Sequence, residues 1–394
     1  MSTLVLNRLT EYQRSLLTRL SYLNIDFDQF QQLKQSKGKI TISDLQSIIL
    51  SPNEPYLGNL RVPHLKRVLS GVEITNSELF EELKSADLGD LELLDLAYNS
   101  KSGFNGICFI DSMQNVGFSF RGTDFKTLAS LTTDGFADIE AFLTNHNKQI
   151  NQAEALFLAH QSSAGQNFLF GHSLGGFLAE SIYSQNHENI ANAFVINPLH
   201  INSRSLDSQA TIAAFNNPLK FSCFVTGGDY LSSINNPTLF ANNLHYVANN
   251  DKYLNNPIGN HLIECALFDD HGAFVECTKE EAFAGHESPE LEAAIKFIKQ
   301  EPVRGFFSKS FLTLKNYFSA IKLYLKNLLK KEEPEKVSSK HDSLAEKSTG
   351  FKQRMNPENY PDGHNSEKDD IDYPNIVEHQ GPPTNSHSDK DNIK

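Results

Sequence analysis

Residues 171–176 read Gly171-His172-Ser173-Leu174-Gly175-Gly176. The apolar run Asn167-Phe168-Leu169-Phe170 precedes them, and Leu174, Phe177, Leu178 and Ile182 recur after them at helical spacing. A buried strand, a serine flanked by glycines and a helix, in that order, spell the G-x-S-x-G nucleophile elbow. The five-residue pattern alone arises often by chance, and the strand before it and the helix after it make it specific. Its chemistry depends on that context. A tight strand-to-helix turn holds the serine hydroxyl out of the sheet, beside backbone N–H groups of the helix N-terminus that face a developing oxyanion. The glycines answer a strained turn whose neighbours pack too closely for a Cβ.

A serine nucleophile needs a base, an acid that orients the base, and a second oxyanion donor. After an elbow of this kind the acid precedes the base in the chain. The run 219–226 reads as a strand and ends in Gly227-Gly228-Asp229-Tyr230. A carboxylate just past a strand's C-terminal end is where an α/β sheet presents working residues, so Asp229 is the expected acid. Asp251, after the apolar run His245-Tyr246-Val247, is the runner-up. Several histidines are candidates for the base. His172 adjoins the serine and points the wrong way, and His245 lies inside a predicted strand. His261 follows the loop signal Asn256-Pro257-Ile258-Gly259-Asn260 and precedes an expected helical stretch from Leu262 to Leu267, while His271 lies in the loop Asp269-Asp270-His271-Gly272. The framing favours His261 over His271, and chain order does not separate them. For the oxyanion, the alternating run 116–120 ends in Arg121-Gly122-Thr123-Asp124. Thr123 would offer a backbone N–H and a hydroxyl, and Leu174 a second N–H.

Phe120-Arg121-Gly122-Thr123, placed ahead of the Gly171–Gly176 motif, resembles the class 3 lipases, the fungal-lipase-like branch of the α/β-hydrolases. The segment from Asp87-Leu88-Gly89-Asp90 to Tyr98, followed by Gly106-Ile107-Cys108-Phe109-Ile110, is similar to bacterial lipase-like proteins of that branch. The resemblance covers roughly residues 85–300. It implies an α/β-hydrolase core with a mostly parallel sheet flanked by helices, Ser173 as nucleophile, Thr123 in the oxyanion hole, and Asp229, in Gly228-Asp229-Tyr230-Leu231, as the acid. The paired motifs point to carboxylic-ester hydrolysis and not to one particular lipid.

Composition narrows the classes. The chain has 394 residues, 39% hydrophobic, enough for one large domain with extensions. A net charge of −13 sets it against nucleic acid as a general partner. Zinc-ligand spacings, a P-loop and a Rossmann glycine pattern are missing from the sequence, so no cofactor or metal is expected. The four cysteines, Cys108, Cys223, Cys265 and Cys277, mostly lie in apolar runs and read as buried reduced thiols. Arg8, Glu11, Arg14 and Arg19 interrupt the first apolar segment, which therefore does not read as a secretory signal. No run approaches the roughly 18 apolar residues of a membrane span. The expectation is a cytoplasmic or peripheral membrane protein, with signal-independent export left open.

Four regions follow. Residues 1–75 form a helical extension. Leu4, Leu9, Leu16, Leu17, Leu20 and Leu23 give 1–24 an amphipathic helical pattern, and Ser51-Pro52-Asn53-Glu54-Pro55 interrupts the pieces beyond it. Its expected role is packing. Residues 76–300 form the hydrolase core, with a polar helix over 134–143 and a closing helix over about 289–299. From 303 to 331 every charged residue is basic: Arg304, Lys309, Lys315, Lys322, Lys326, Lys330 and Lys331. Phe307, Phe311, Leu314, Phe318, Ile321, Leu325 and Leu328 recur in steps of four and three and form one stripe on a helix. A basic amphipathic helix reads as an element that lies on an anionic membrane surface, against the plainer reading of a helix docked on the core. Residues 332–394 are rich in Ser, Asn, Asp, Lys and Pro and read as a disordered tail.

These readings converge on a serine hydrolase of acyl-lipid esters, a lipase or phospholipase. A soluble esterase or thioesterase on small acyl substrates, and a non-catalytic lipid-binding module on the same scaffold, are the alternatives.

Overall fold

Among the described residues, eight strands form one sheet in the order in which they occur in the chain. They are β1 (Glu92–Asn99), β2 (Phe104–Ile110), β3 (Val116–Phe120), β4 (Asn167–His172), β5 (Ile190–Ile196), β6 (Phe221–Thr226), β7 (Leu244–Val247) and β8 (Glu276–Cys277). Strands β1 to β3 run antiparallel, β3 to β7 run parallel, and β8 returns antiparallel to β7. The computed structural model describes residues 4–53, 74–99, 102–122, 137–201, 208–229, 232, 242–249 and 259–284, with only the helical backbone for 137–147. The expected helices over 289–299 and 303–331, the tail, Thr123 and Asp251 lie outside the described residues.

The central strands are apolar on both faces because both faces are covered. Along β4, Phe168 and Phe170 join one core cluster and Leu169 the other. In β5, Phe194 and Ile196 oppose Ala193 and Val195 in the same way. Ala153, Leu156 and Phe157 of α4 (Ala137–His160), Leu178, Ile182 and Tyr183 of α5 (Leu174–Asn186), and Phe215 of α6 (Gln209–Phe215) fill the second cluster. Helix α4 extends well beyond the polar stretch expected at 134–143. A short helix α7 (Lys279–Phe283) follows β8.

The other face is covered by the N-terminal segment. Leu6, Leu9, Leu16, Leu17, Leu20, Tyr22 and Leu23 pack in one cluster with Phe109, Phe168, Phe170 and Phe194 of the sheet. The continuous helix expected over 1–24 is broken. Leu6–Arg8 is a separate 3₁₀ turn, and helix α1 runs Glu11–Leu20. Thr10 sets its start, since its hydroxyl accepts the Gln13 N–H while the Gln13 side chain accepts the Thr10 N–H. Helices α2 (Phe27–Lys37) and α3 (Asn76–Ser85) complete this layer. A mostly parallel sheet with an elbow after β4 and helices on both faces is the α/β-hydrolase arrangement. Among the described residues no helix is long and apolar enough to cross a membrane.

Candidate active site

The parallel strands end at one edge of the sheet, and the residues just past their C-terminal ends meet there. Gly122 follows β3, Ser173 follows β4, Asn197 follows β5 and Asp229 follows β6. This is the edge where open α/β sheets carry their chemistry.

Ser173 joins β4 to α5 with φ 57° and ψ −123°. A side chain at positive φ outside glycine is strained, by about 1–3 kcal/mol. The turn closes tightly: a Cβ on Gly175 would lie 1.9 Å from the Phe120 carbonyl oxygen. The Ser173 N–H donates to Ile196 O (3.3 Å), and its carbonyl accepts from Phe177 N (3.2 Å) and Leu199 N (3.0 Å). Thr10, Asp26, Thr75, Ser208 and Thr278 use their side chains to cap helices, whereas Ser173 makes no side-chain cap bond. Leu174, the first residue of α5, has no intrahelical acceptor for its N–H.

Asp229 lies in the turn after β6 and is fully buried. Gly228, at φ 72°, makes that turn and donates its N–H to Ala282 O at 2.8 Å. One Asp229 oxygen, Oδ1, stands 3.1 Å from His261 Nδ1, and Oδ2 accepts the Ser232 hydroxyl at 2.6 Å. His261 closes the 3₁₀ turn Gly259–His261 and is buried. Its ring lies 4.9 Å from that of His172, the residue before Ser173. Its carbonyl accepts from His172 Nε2 (2.7 Å) and Asn197 Nδ2 (3.1 Å). Asn197 also bonds Thr226, whose hydroxyl donates to the Asn260 carbonyl. The sheet edge thus fixes the backbone on which His261 sits. The helical stretch expected from Leu262 to Leu267 is instead the 3₁₀ turn Ile263–Cys265, after which Ala266 bridges to Asn249. Strand-like pairing outweighs the apolar run there.

The other histidines are placed elsewhere. His245 lies on β7, 3.0 Å from Glu276 and stacked on Phe224. His271 lies in the exposed turn between Phe268 and Phe274, where Asp269 accepts its N–H. Of the expected site residues, Asp229 and His261 are paired, and His261 packs against the residue next to Ser173.

Three partners were not visible in the sequence. Tyr22 hid in a leucine-rich helical pattern. Its hydroxyl lies 2.7 Å from His172 Nδ1 and accepts the Gly122 N–H at 2.9 Å. Asn197-Pro198 marks a turn, but nothing in it announces a bond to His261. Ser232 is one of several serines past β6. The buried His172 imidazole is held well below its ordinary pKa by burial and by its neighbour His261.

Glu180, His200 and Cys223 form a buried cluster whose donor atoms all lie within 4.8 Å of one another, the chemistry of a metal-ligand set. Here Glu180 accepts from His200 Nδ1 and Ile201 N, both at 2.8 Å. Burial and the Glu180 charge push the Cys223 thiol well above its usual range. The cluster acts as a hydrogen-bonded tie between α5 and the segment after β5. All four cysteines are free thiols.

No family model matches the chain, and no curated protein matches it. Among solved structures it is similar to a triacylglycerol lipase from Penicillium expansum, with 14% identity over 48% of this chain and 75% of that one, at a TM-score of 0.27. It is also similar to the Lip2 lipase from Yarrowia lipolytica, with 12% identity over 50% and 75% of the two chains, at a TM-score of 0.31.

Proposed function

We propose that this protein is a serine hydrolase that cleaves carboxylic esters of acyl lipids, with Ser173 as nucleophile, His261 as base, and Asp229 as the acid that orients it. The observation that carries this reading is the buried 3.1 Å pairing of His261 with Asp229, beside a serine in a strained turn. Because Asp229 occupies Nδ1, the lone pair of His261 is left on Nε2, the nitrogen a serine proton requires. In the first half-reaction Ser173 Oγ bonds to the ester carbon as its proton passes to His261 Nε2. Asp229 holds the resulting imidazolium through Nδ1–H. The Leu174 N–H and the N–H and hydroxyl of Thr123 receive the oxyanion. The carbon–oxygen bond of the ester then breaks, and the alcohol leaves with the proton from His261. Water repeats the sequence on the acyl-serine and releases the acid.

A lipid substrate is supported by the one-sided basic pattern of 303–331 and its apolar stripe, which suit an anionic lipid surface. A fluorophosphonate probe and an ester panel test the reading. Wild-type protein reacts at Ser173 and hydrolyses long-chain acylglycerols or phospholipids. The Ser173→Ala protein folds and does neither, keeping at most the roughly 10³–10⁴-fold residual advantage over water typical of such variants. A wild-type protein that does not react with the probe overturns the hydrolase reading. Turnover confined to short soluble esters or thioesters overturns the lipid assignment alone.

A further inference from the structure

We propose that Tyr22, in the turn just after helix α1, is a positioning residue for the oxyanion loop and, through His172, for the loop that carries His261. The proposal rests on the hydrolase reading above and gives the N-terminal segment a part in it.

The hydrogen bonds run in one direction. The His261 carbonyl only accepts, so the His172 proton sits on Nε2, 2.7 Å away. The buried ring stays neutral, which leaves Nδ1 as an acceptor. Tyr22 therefore donates its hydroxyl proton to Nδ1 at 2.7 Å, and its oxygen accepts the Gly122 N–H at 2.9 Å. One unbroken chain joins the residue before Thr123, the residue before Ser173 and the backbone of His261. Tyr22 and His172 are 1% and 2% exposed, so water does not replace these bonds cheaply.

The space around the chain has no slack. A Cβ on Gly122 would stand 2.3 Å from the Tyr22 hydroxyl oxygen, 2.8 Å from the His172 carbonyl oxygen and 2.9 Å from Ser173 Cβ. Tyr22 and the elbow thus occupy the space that a side chain at position 122 would need. The last turn of α1, just before Tyr22, grips the surroundings. The Thr18 carbonyl accepts from Ser119 on β3 at 3.2 Å, and Arg19 pairs at 2.9 Å with Glu264, three residues beyond His261. A segment whose sequence suggested only packing therefore touches β3, the loop after it, the elbow and the base loop.

Tyr22→Phe keeps the ring and removes only the hydroxyl. The full-length variant is assayed on a short soluble p-nitrophenyl ester, with active serines counted by fluorophosphonate titration. We expect kcat per titrated serine to fall by about 10- to 100-fold, the scale of a small misplacement at a reacting centre. KM stays within about twofold. A wild-type kcat per titrated serine overturns the proposal, even if fewer molecules titrate, because the hydroxyl is then structural only. An equal loss carried by KM overturns it too. In both cases wild-type labelling at Ser173 leaves the hydrolase reading standing. A wild-type protein that neither turns over nor labels removes the proposal together with that reading.

Discussion

Asp229 and His261 are 32 positions apart in the chain, and their side chains meet at 3.1 Å with neither open to solvent. The turn after β6 supplies one, and a 3₁₀ turn beyond β7 supplies the other. The pairing orients the His261 ring, which separates it from the other candidates for the base. His261→Ala should remove ester turnover to the same extent as Ser173→Ala, whereas His271→Ala and His245→Ala should keep it. Asp229→Asn should lower kcat by about 10⁴-fold, because an amide at this position favours the wrong tautomer of the imidazole. Steady-state kinetics on a soluble ester check all four. Loss of activity in His271→Ala with retention in His261→Ala would reassign the base.

The strain at Ser173 predicts an opposition between stability and activity. At φ 57° and ψ −123° only glycine is at ease. Ser173→Gly should relieve about 1–3 kcal/mol of strain, offset by about 0.4–1 kcal/mol of added freedom in the unfolded chain. The net gain should raise Tm by about 2–4 °C, while Ser173→Ala, which keeps a Cβ, should not. Both variants should be inactive. Differential scanning calorimetry reads the difference, and an unchanged or lower Tm for the glycine variant would show that the turn is not strained in solution.

The fold and the centre of the candidate site were legible because each rested on local pattern. Buried strands show as continuous apolar runs, and the elbow shows as glycines around a serine between a strand and a helix. Asp229 was legible because it follows two glycines at a strand end. His261 was separable from His271 only by its framing, since both occupy loops after the acid. Tyr22 was illegible for a different reason. Its partner His172 lies 150 positions away, and within its own leucine-rich segment it looks like one more core residue. Burial predicts that such a residue packs, but only the assembled sheet edge gives its hydroxyl a donor and an acceptor. The start of α1 was misjudged because the leucine spacing continues through Thr10, where the capping box overrides it.

The neutral, buried state of His172 carries a pH signature. Its folded pKa lies well below the ordinary 6.5, chiefly through burial. Below pH 6.5 the unfolded chain takes up a proton that the folded protein refuses, so stability is complete above that pH and declines as the pH falls toward the folded pKa. The slope from this one group should approach about 1.4 kcal/mol per pH unit. Urea denaturation at pH 7.5, 6.5 and 5.5 should show wild type losing stability through the last step, and His172→Gln losing less by about that amount. Equal slopes in the two proteins would mean that His172 titrates normally.

Residues 303–331 lie outside the described residues, and their basic, amphipathic pattern alone motivates a role at a membrane surface. Every group assigned to catalysis comes earlier in the chain, so removing 303–394 should leave hydrolysis of a short soluble ester nearly intact. Each lysine near an anionic surface contributes about 1 kcal/mol, and that attraction fades with salt over a Debye length of roughly 10 Å at 0.1 M. Charge of this size holds a helix at a surface only if its apolar stripe also enters the lipid. The truncated protein should therefore bind phosphatidylserine-containing vesicles more weakly and hydrolyse bilayer lipid more slowly. Phe318→Asp separates the two readings of the stripe. If Phe318 enters lipid, the substitution lowers vesicle binding and leaves Tm unchanged. If the stripe packs against the protein, the same substitution lowers Tm by many degrees, vesicle binding is retained, and the membrane assignment is withdrawn.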